Sequence, residues 1–356
     1  MAREGPVRFG LFHLMQKRDP AMAPARVYAD LLERVRLAED MGLTHSWLAE
    51  HHFTDYCLCP SPLVAAAWLA GQTRRMVFAP GILVLPLYDP IRLSQEFGMV
   101  SLMSGGRLEL GVGVGYQPYE FRRFGQDLDE AADRSLEMLD ILEASFAGAS
   151  VTHKGRHYAV EDFASAVPPA TARPVTYFAG AVRHPTIPRR VVKNGYVPFV
   201  YNGWSPFETI VETRAKFDAL AREEGVDPRS IGMALERFVY VTDDKAEALW
   251  AAEQFRYTAR AARSLRFDYV TLEGRTIVDQ PAKDDESLET IIERGVIGGV
   301  EHCAQRIAEE IRRARLSHYA LLIGVGAMDQ ARVLRSLERI GREVLPRVRK
   351  ALGIPA

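Results

Sequence analysis

The chain has 356 residues, 47% of them hydrophobic, enough to bury a large core in one barrel-sized unit or in two smaller ones. Lys plus Arg number 45 against 46 Asp plus Glu, so no strong overall field argues for nucleic acid or an anionic membrane as partner. The opening Met-Ala-Arg-Glu-Gly-Pro leads straight into an apolar run too short and interrupted for a signal peptide or spanning helix, and a soluble cytoplasmic protein is expected. Cys57, Cys59 and Cys303 leave one thiol unpaired in any scheme, and a C-x-C pair fits structural zinc spacing poorly; free thiols and no metal are expected.

Apolar runs of strand length alternate with helix-period segments along nearly the whole chain. A strand is expected over residues 7–12, a helix over 24–41 with Val27, Leu31, Val35 and Ala38 at helical spacing, and a second strand over 44–49. A helix over 62–69, a strand over 76–85, a helix over 90–103 and a strand over 107–112 follow, then a helix over 128–147 with acids at its start. The second half repeats the unit: strand 174–179, a short helix 187–193 closed by Asn194-Gly195, strand 196–200, helix 206–224, strand 230–241 and helix 245–264. After a helix over 300–314 come a last strand, 319–323, and a last helix, 330–352.

Eight strands, each followed by at least one helix, are explained by a single α/β domain over residues 1–356, a closed (β/α)₈ TIM barrel, better than by an open doubly wound sheet. Between residues 266 and 291 the periodicity fails and polar residues dominate. That stretch reads either as an excursion after strand seven that covers the barrel mouth or as a surface loop.

Glu50-His51-His52-Phe53 lies at the end of the second strand, where parallel α/β proteins build their sites. Alternation along a strand sends His51 and His52 to opposite sides, so at most one faces the barrel interior, and the bland alternative is a pair of polar loop residues. Gly111-Val112-Gly113-Val114-Gly115-Tyr116 follows the fourth strand; as a dinucleotide fingerprint it is weak, and it reads either as a bare strand end for a flat ring or as a tight turn. Pro80-Gly81 interrupts the third strand, and because proline cannot donate to a central ladder an unusual backbone is expected there. Ala179-Gly180-Ala181-Val182-Arg183-His184-Pro185-Thr186 joins the fifth strand to a helix whose first turn holds no acid: an anion cup, or a solvated arginine. No nucleophile elbow, phosphate-binding P-loop or zinc-protease helix occurs, so these groups suit a bound redox cofactor better than hydrolysis.

Taken together, Trp47-Leu48-Ala49-Glu50-His51-His52-Phe53-Thr54, Val84-Leu85-Pro86, Ser104-Gly105-Gly106-Arg107 and Phe121-Arg122-Arg123-Phe124-Gly125 resemble the bacterial luciferase-like family of flavin-dependent oxidoreductases, closest in pattern to the luciferase α subunit. Gly298-Gly299-Val300-Glu301-His302 and Glu343-Val344-Leu345-Pro346 extend the likeness toward the C-terminus. The resemblance implies a TIM barrel that binds reduced FMN delivered by a separate flavin reductase, activates O₂ as a flavin C4a-peroxide and oxygenates a small organic substrate, as a homodimer without nucleic acid or membrane. By position His51 matches the catalytic histidine, Gly81-Ile82 a non-proline cis peptide under the isoalloxazine, and Gly113 a flavin-adjacent cysteine. Glu50, Tyr116, Ala179 and Gly180 fall among the implied cofactor contacts. Val114 and Ala181 stand where luciferase has a phosphate-binding arginine and serine, which leaves Arg183, His184 and Thr186 for that task and makes a deazaflavin, F420, the alternative cofactor for a hydride-transferring enzyme. A non-catalytic flavin-binding subunit is the further alternative, against which His51 argues.

Overall fold

The computed structural model describes residues 7–180 and 184–354. Eight parallel strands form the ring: β1 Arg8–His13, β2 His45–Leu48, β3 Val77–Pro80, β4 Leu110–Gly113, β5 Thr176–Ala179, β6 Val197–Tyr201, β7 Ala234–Val241 and β8 His318–Leu322. Each strand pairs in parallel with its sequence neighbours, and β8 closes on β1 with Arg8 opposite His318. Between β3 and β4 the ring is joined by a bridge at Phe78 and Leu108, where the Phe78 N–H donates to the Arg107 carbonyl and the Glu109 N–H to the Phe78 carbonyl, both at 2.8 Å. Most strand residues are buried, as expected of strands covered by side chains inside the barrel and by helices outside.

The crossover helices are α1 Pro24–Asp40, α2 Pro62–Ala70, α3 Pro90–Met103, α4 Pro118–Phe124, α5 Ala131–Phe146, α6 Ile187–Asn194 and α7 Glu208–Glu223. Their starts are written locally: each of α1 to α4 opens with proline in its first turn, Ser61 accepts the Val64 N–H ahead of α2, and Asp89 accepts the Arg92 N–H ahead of α3 at 2.9 Å.

After β7 the chain departs from the simple unit. Helix α8, Lys245–Arg266, is followed by a hairpin of Leu272–Glu273 with Thr276–Ile277, helix α9 Leu288–Arg294, and a short strand Val296–Gly298 that pairs in parallel with Val239–Val241 at the end of β7. Only then does α10, Val300–Ala314, lead to β8. The excursion expected over 266–291 is thus part of a longer insertion, 242–299, that includes α8. It is tied to the loop after β2, because the Asp55 N–H donates to the Arg275 carbonyl and Asp55 accepts the Ile277 N–H, both at 3.0 Å.

Three more differences have local causes. The single strand expected over 76–85 ends at Pro80 and resumes as Leu83–Val84 after the cis peptide Gly81–Ile82. Between α5 and β5 stands a hairpin, Val151–Lys154 with Ala159–Phe163, whose largely exposed residues give no burial pattern to read. The last helix is three pieces: α11 Gln330–Arg339, a π turn Ile340–Val344, and α12 Leu345–Leu352, the break falling ahead of Pro346. All three cysteines are buried free thiols, and among the described residues no helix is long and apolar enough to cross a membrane.

Candidate active site

A cavity of about 840 Å³ opens at the C-terminal ends of the strands, within the ~300–1,000 Å³ usual for small-molecule and cofactor sites. Its wall takes residues from the ends of β1, β2 and β5 to β8 and from the C-terminal part of α8, with Arg266 and Phe267 of the insertion at its edge.

His51 and His52 lie beyond β2, which ends at Leu48, so strand alternation does not govern them; the chain has already turned, with Phe53 at φ +71°. They still diverge. His51 lines the cavity, with Nδ1 3.1 Å from Glu120 Oε1 and 2.9 Å from the Gln117 side-chain nitrogen, and Nε2 3.4 Å from the Tyr116 hydroxyl. The Glu120 carboxylate only accepts and so calls for a proton on Nδ1, which is compatible with the neighbouring Gln117 amide only when that amide turns its oxygen to the ring; Nε2 is then the unprotonated nitrogen on the cavity side. His52 turns away and packs its ring against Phe53 and Phe124. Glu120 is buried in the first turn of α4 and also accepts the His52 backbone N–H at 2.7 Å, so one carboxylate fixes both the loop and the His51 ring.

Glu50 is buried as well. It faces His52 Nε2 at 3.1 Å and accepts the Tyr88 hydroxyl at 2.7 Å and the Val84 N–H at 3.3 Å, tying the β2 loop to the chain after the cis peptide. Burial pushes its carboxyl up, against the opposing hydrogen bonds from His52 and Tyr88. The Gly81 carbonyl accepts the Tyr201 hydroxyl at 2.9 Å, from the far side of the barrel.

The sequence-derived residues divide. Glu50, His51, Gly81, Ile82, Tyr116, Ala179, Gly180 and His184 line the cavity. Gly113 does not: a Cβ there would sit 2.3 Å from Ile82 Cδ1, so the bare strand end makes room for Ile82 and not for a ring laid directly on it. Thr186 is exposed and off the cavity, its hydroxyl 3.0 Å from His184 Nδ1. Arg183 and Ala181 lie outside the described residues. Among the described residues no side chain caps α6, which leaves its first-turn N–H groups open to an anion.

Sequence reasoning missed Gln117, Glu120, Glu236 and Arg266. Glu236 sits on β7, buried, and lines the cavity; the adjacent charges Glu236-Arg237 in an otherwise apolar strand were the available signal. Arg266 stacks over the Tyr116 ring, 4.6 Å from its centroid, and makes no ion pair among the described residues.

Comparison with known proteins agrees with this geometry. The pattern of the luciferase-like monooxygenases matches residues 7–318. The oxygenase component of the flavin-dependent trigonelline monooxygenase of Acinetobacter baylyi is 26% identical, over 96% of this chain and 95% of that protein. Two solved structures share the fold at 20% identity, each covering 96% of this chain and 99% of theirs. One is the oxygenating constituent of 3,6-diketocamphane monooxygenase from Pseudomonas putida in complex with FMN, TM-score 0.77, and the other an F420-dependent secondary alcohol dehydrogenase, TM-score 0.75. A TIM barrel with its cavity at the strand ends, a cis peptide in its wall and a family pattern over most of its length place this chain in the luciferase-like monooxygenase family of oxidoreductases.

Proposed function

We propose that this protein is the oxygenase half of a two-component monooxygenase, taking reduced FMN from a separate reductase and using O₂ to place one oxygen atom on a small organic substrate. The observation that carries the reading is the pairing, in one cavity, of the cis Gly81–Ile82 wall with a histidine held by a buried carboxylate. Trigonelline monooxygenase, related along nearly its whole length, is described as having such an oxygenase component.

The residues present fit FMN. Glu50, Gly81, Ile82, Tyr116 and Ala179 would border the ring system, with Gly113 behind Ile82, and Gly180, His184, Arg183 and the first-turn N–H groups of α6 would hold the phosphate, with Thr186 steadying His184. When bound, reduced FMN supplies the electrons for O₂ activation. His51 Nε2 accepts or returns a proton beside the reacting centre, while Glu120 keeps the ring turned and the Nδ1 proton in place. Thr258, Ala262 and Arg266 of α8 would wall that side of the cavity against water.

The test is to supply chemically reduced FMN and air to the purified protein with a panel of small aromatic and alicyclic compounds under ¹⁸O₂. Product carrying one ¹⁸O, dependent on both FMN and protein, is expected; turnover without isotope in any product contradicts the reading. F420-dependent hydride transfer is the second reading, favoured by Val114 in place of a phosphate-binding arginine and supported at the level of fold by the alcohol dehydrogenase.

A further inference from the structure

We infer that Glu236 and the aromatic rings around it form a subsite for a positively charged nitrogen, so that the substrate is an organic cation; this rests on the oxygenase reading and names its substrate class. Glu236 is almost wholly buried, lies on the cavity wall, and its Oε1 has no hydrogen-bond partner among the described residues. A buried carboxyl oxygen without a partner is costly, and a cation seated in the cavity that Glu236 lines would remove that cost.

Among the described residues no cation is assigned to that oxygen. The neighbouring Arg237 is engaged by Glu310 at 2.9 Å and by the Ser205 and Arg294 carbonyls. Arg263 is paired with Asp284 at 2.9 Å, and Arg266 lies over the Tyr116 ring. The surroundings are aromatic instead. Tyr201, paired with Glu236 across the β6–β7 register, packs on Phe12 and Phe199, with centroids 5.4 and 4.9 Å apart, and Trp204 packs on Phe238 at 5.6 Å. Ring faces and one carboxylate are the combination that binds ammonium and pyridinium groups, because the ring quadrupole and the anion act together once water is removed.

Burial pushes the Glu236 carboxyl up to about 8, against the pull of Arg237 and the Gly203 and Asn202 N–H groups. A bound cation therefore expels a proton from the site near neutral pH. Other ionisable groups on the same cavity are Glu50 and His51 with Tyr56 beyond β2, Tyr116, Glu120 and Asp129 beyond β4, His184 beyond β5, Tyr201 on β6, and Arg263 with Arg266 on α8.

The experiment is calorimetric titration of the full chain, with and without FMN, by N-methylpyridinium, by its neutral isostere toluene and by benzyl alcohol as a neutral donor, in two buffers of different ionisation enthalpy. N-methylpyridinium should bind at least tenfold more tightly than either neutral probe at pH 7, release a proton, and gain about tenfold in affinity from pH 6 to pH 7. Glu236→Gln should abolish the preference and the proton release, and Glu236→Asp should keep both. Equal binding of all three probes, tighter benzyl alcohol, or a Glu236→Gln variant that weakens FMN but not N-methylpyridinium would overturn the inference. Failure of the wild type to bind FMN would instead refute the flavin reading and leave the cation result legible; thermal unfolding of each variant shows whether it is folded.

Discussion

Replacing Glu120 by Ala removes the acceptor that holds the His51 ring and frees it to rotate in the cavity. One oxygen of this buried carboxylate serves two donors, His51 Nδ1 at 3.1 Å and the His52 N–H at 2.7 Å. A charge-assisted hydrogen bond contributes about 1.5–3 kcal/mol, and if that support is felt fully in the transition state the rate falls roughly 10- to 150-fold. The orphaned His52 N–H adds about 1–3 kcal/mol of destabilisation, visible as a lower urea midpoint. Glu120→Gln keeps the shape and loses the charge, so its rate should lie between the two. The assay is single-turnover oxygenation by the pre-reduced FMN complex, with FMN affinity measured separately by equilibrium titration. Slower oxygenation with FMN affinity within about threefold of wild type is expected. A folded Glu120→Ala variant with wild-type oxygenation, or one whose whole defect is lost flavin binding, would refute the role of Glu120 as the group that positions His51.

Three other outcomes are expected. His51→Ala should cut single-turnover oxygenation by roughly 10²-fold or more while FMN binding largely survives, whereas His52→Ala should act mainly on stability through its contacts with Phe53 and Phe124. Arg183→Ala should weaken FMN binding by about 1.5–3 kcal/mol and riboflavin binding far less; equal losses for both ligands would move the phosphate site elsewhere. Because Glu236 is raised from 4.5 to about 8, the folded protein keeps a proton there that the unfolded chain has already lost, and stability falls as pH rises between those values. The slope reaches about 1.4 kcal/mol per pH unit, so the thermal midpoint of Glu236→Gln should decline less than wild type from pH 5.5 to 8, and parallel declines would contradict the assignment.

Much of the barrel was legible because its periodicities are strong. α3 and α10 occupy the expected residues, and the eight strands fall within a few residues of where the apolar runs stand. Pro80 announced the broken third strand, since proline cannot serve a central ladder. The hairpin at Val151–Phe163 was not legible, because exposed strands carry no apolar alternation. The size of the insertion was missed because α8 reads as an ordinary crossover helix, and only the pairing of Val296–Gly298 with the end of β7 shows that α10 completes the unit. At the site, His51 was found by position, but Glu120 is distant from it by 69 residues and joins it only through folding. Gly113 shows the opposite limit: a missing side chain reports that something comes close, not whether that is a ligand or Ile82.

The most direct test of the flavin reading is anaerobic titration of the purified protein with reduced FMN and, in parallel, reduced F420, each complex then mixed with air. Saturable binding of reduced FMN, reoxidation on the protein after air is admitted, and no binding of reduced F420 are expected. Saturable binding of reduced F420 together with indifference to reduced FMN would contradict the account and make the enzyme a hydride-transferring oxidoreductase on the same barrel.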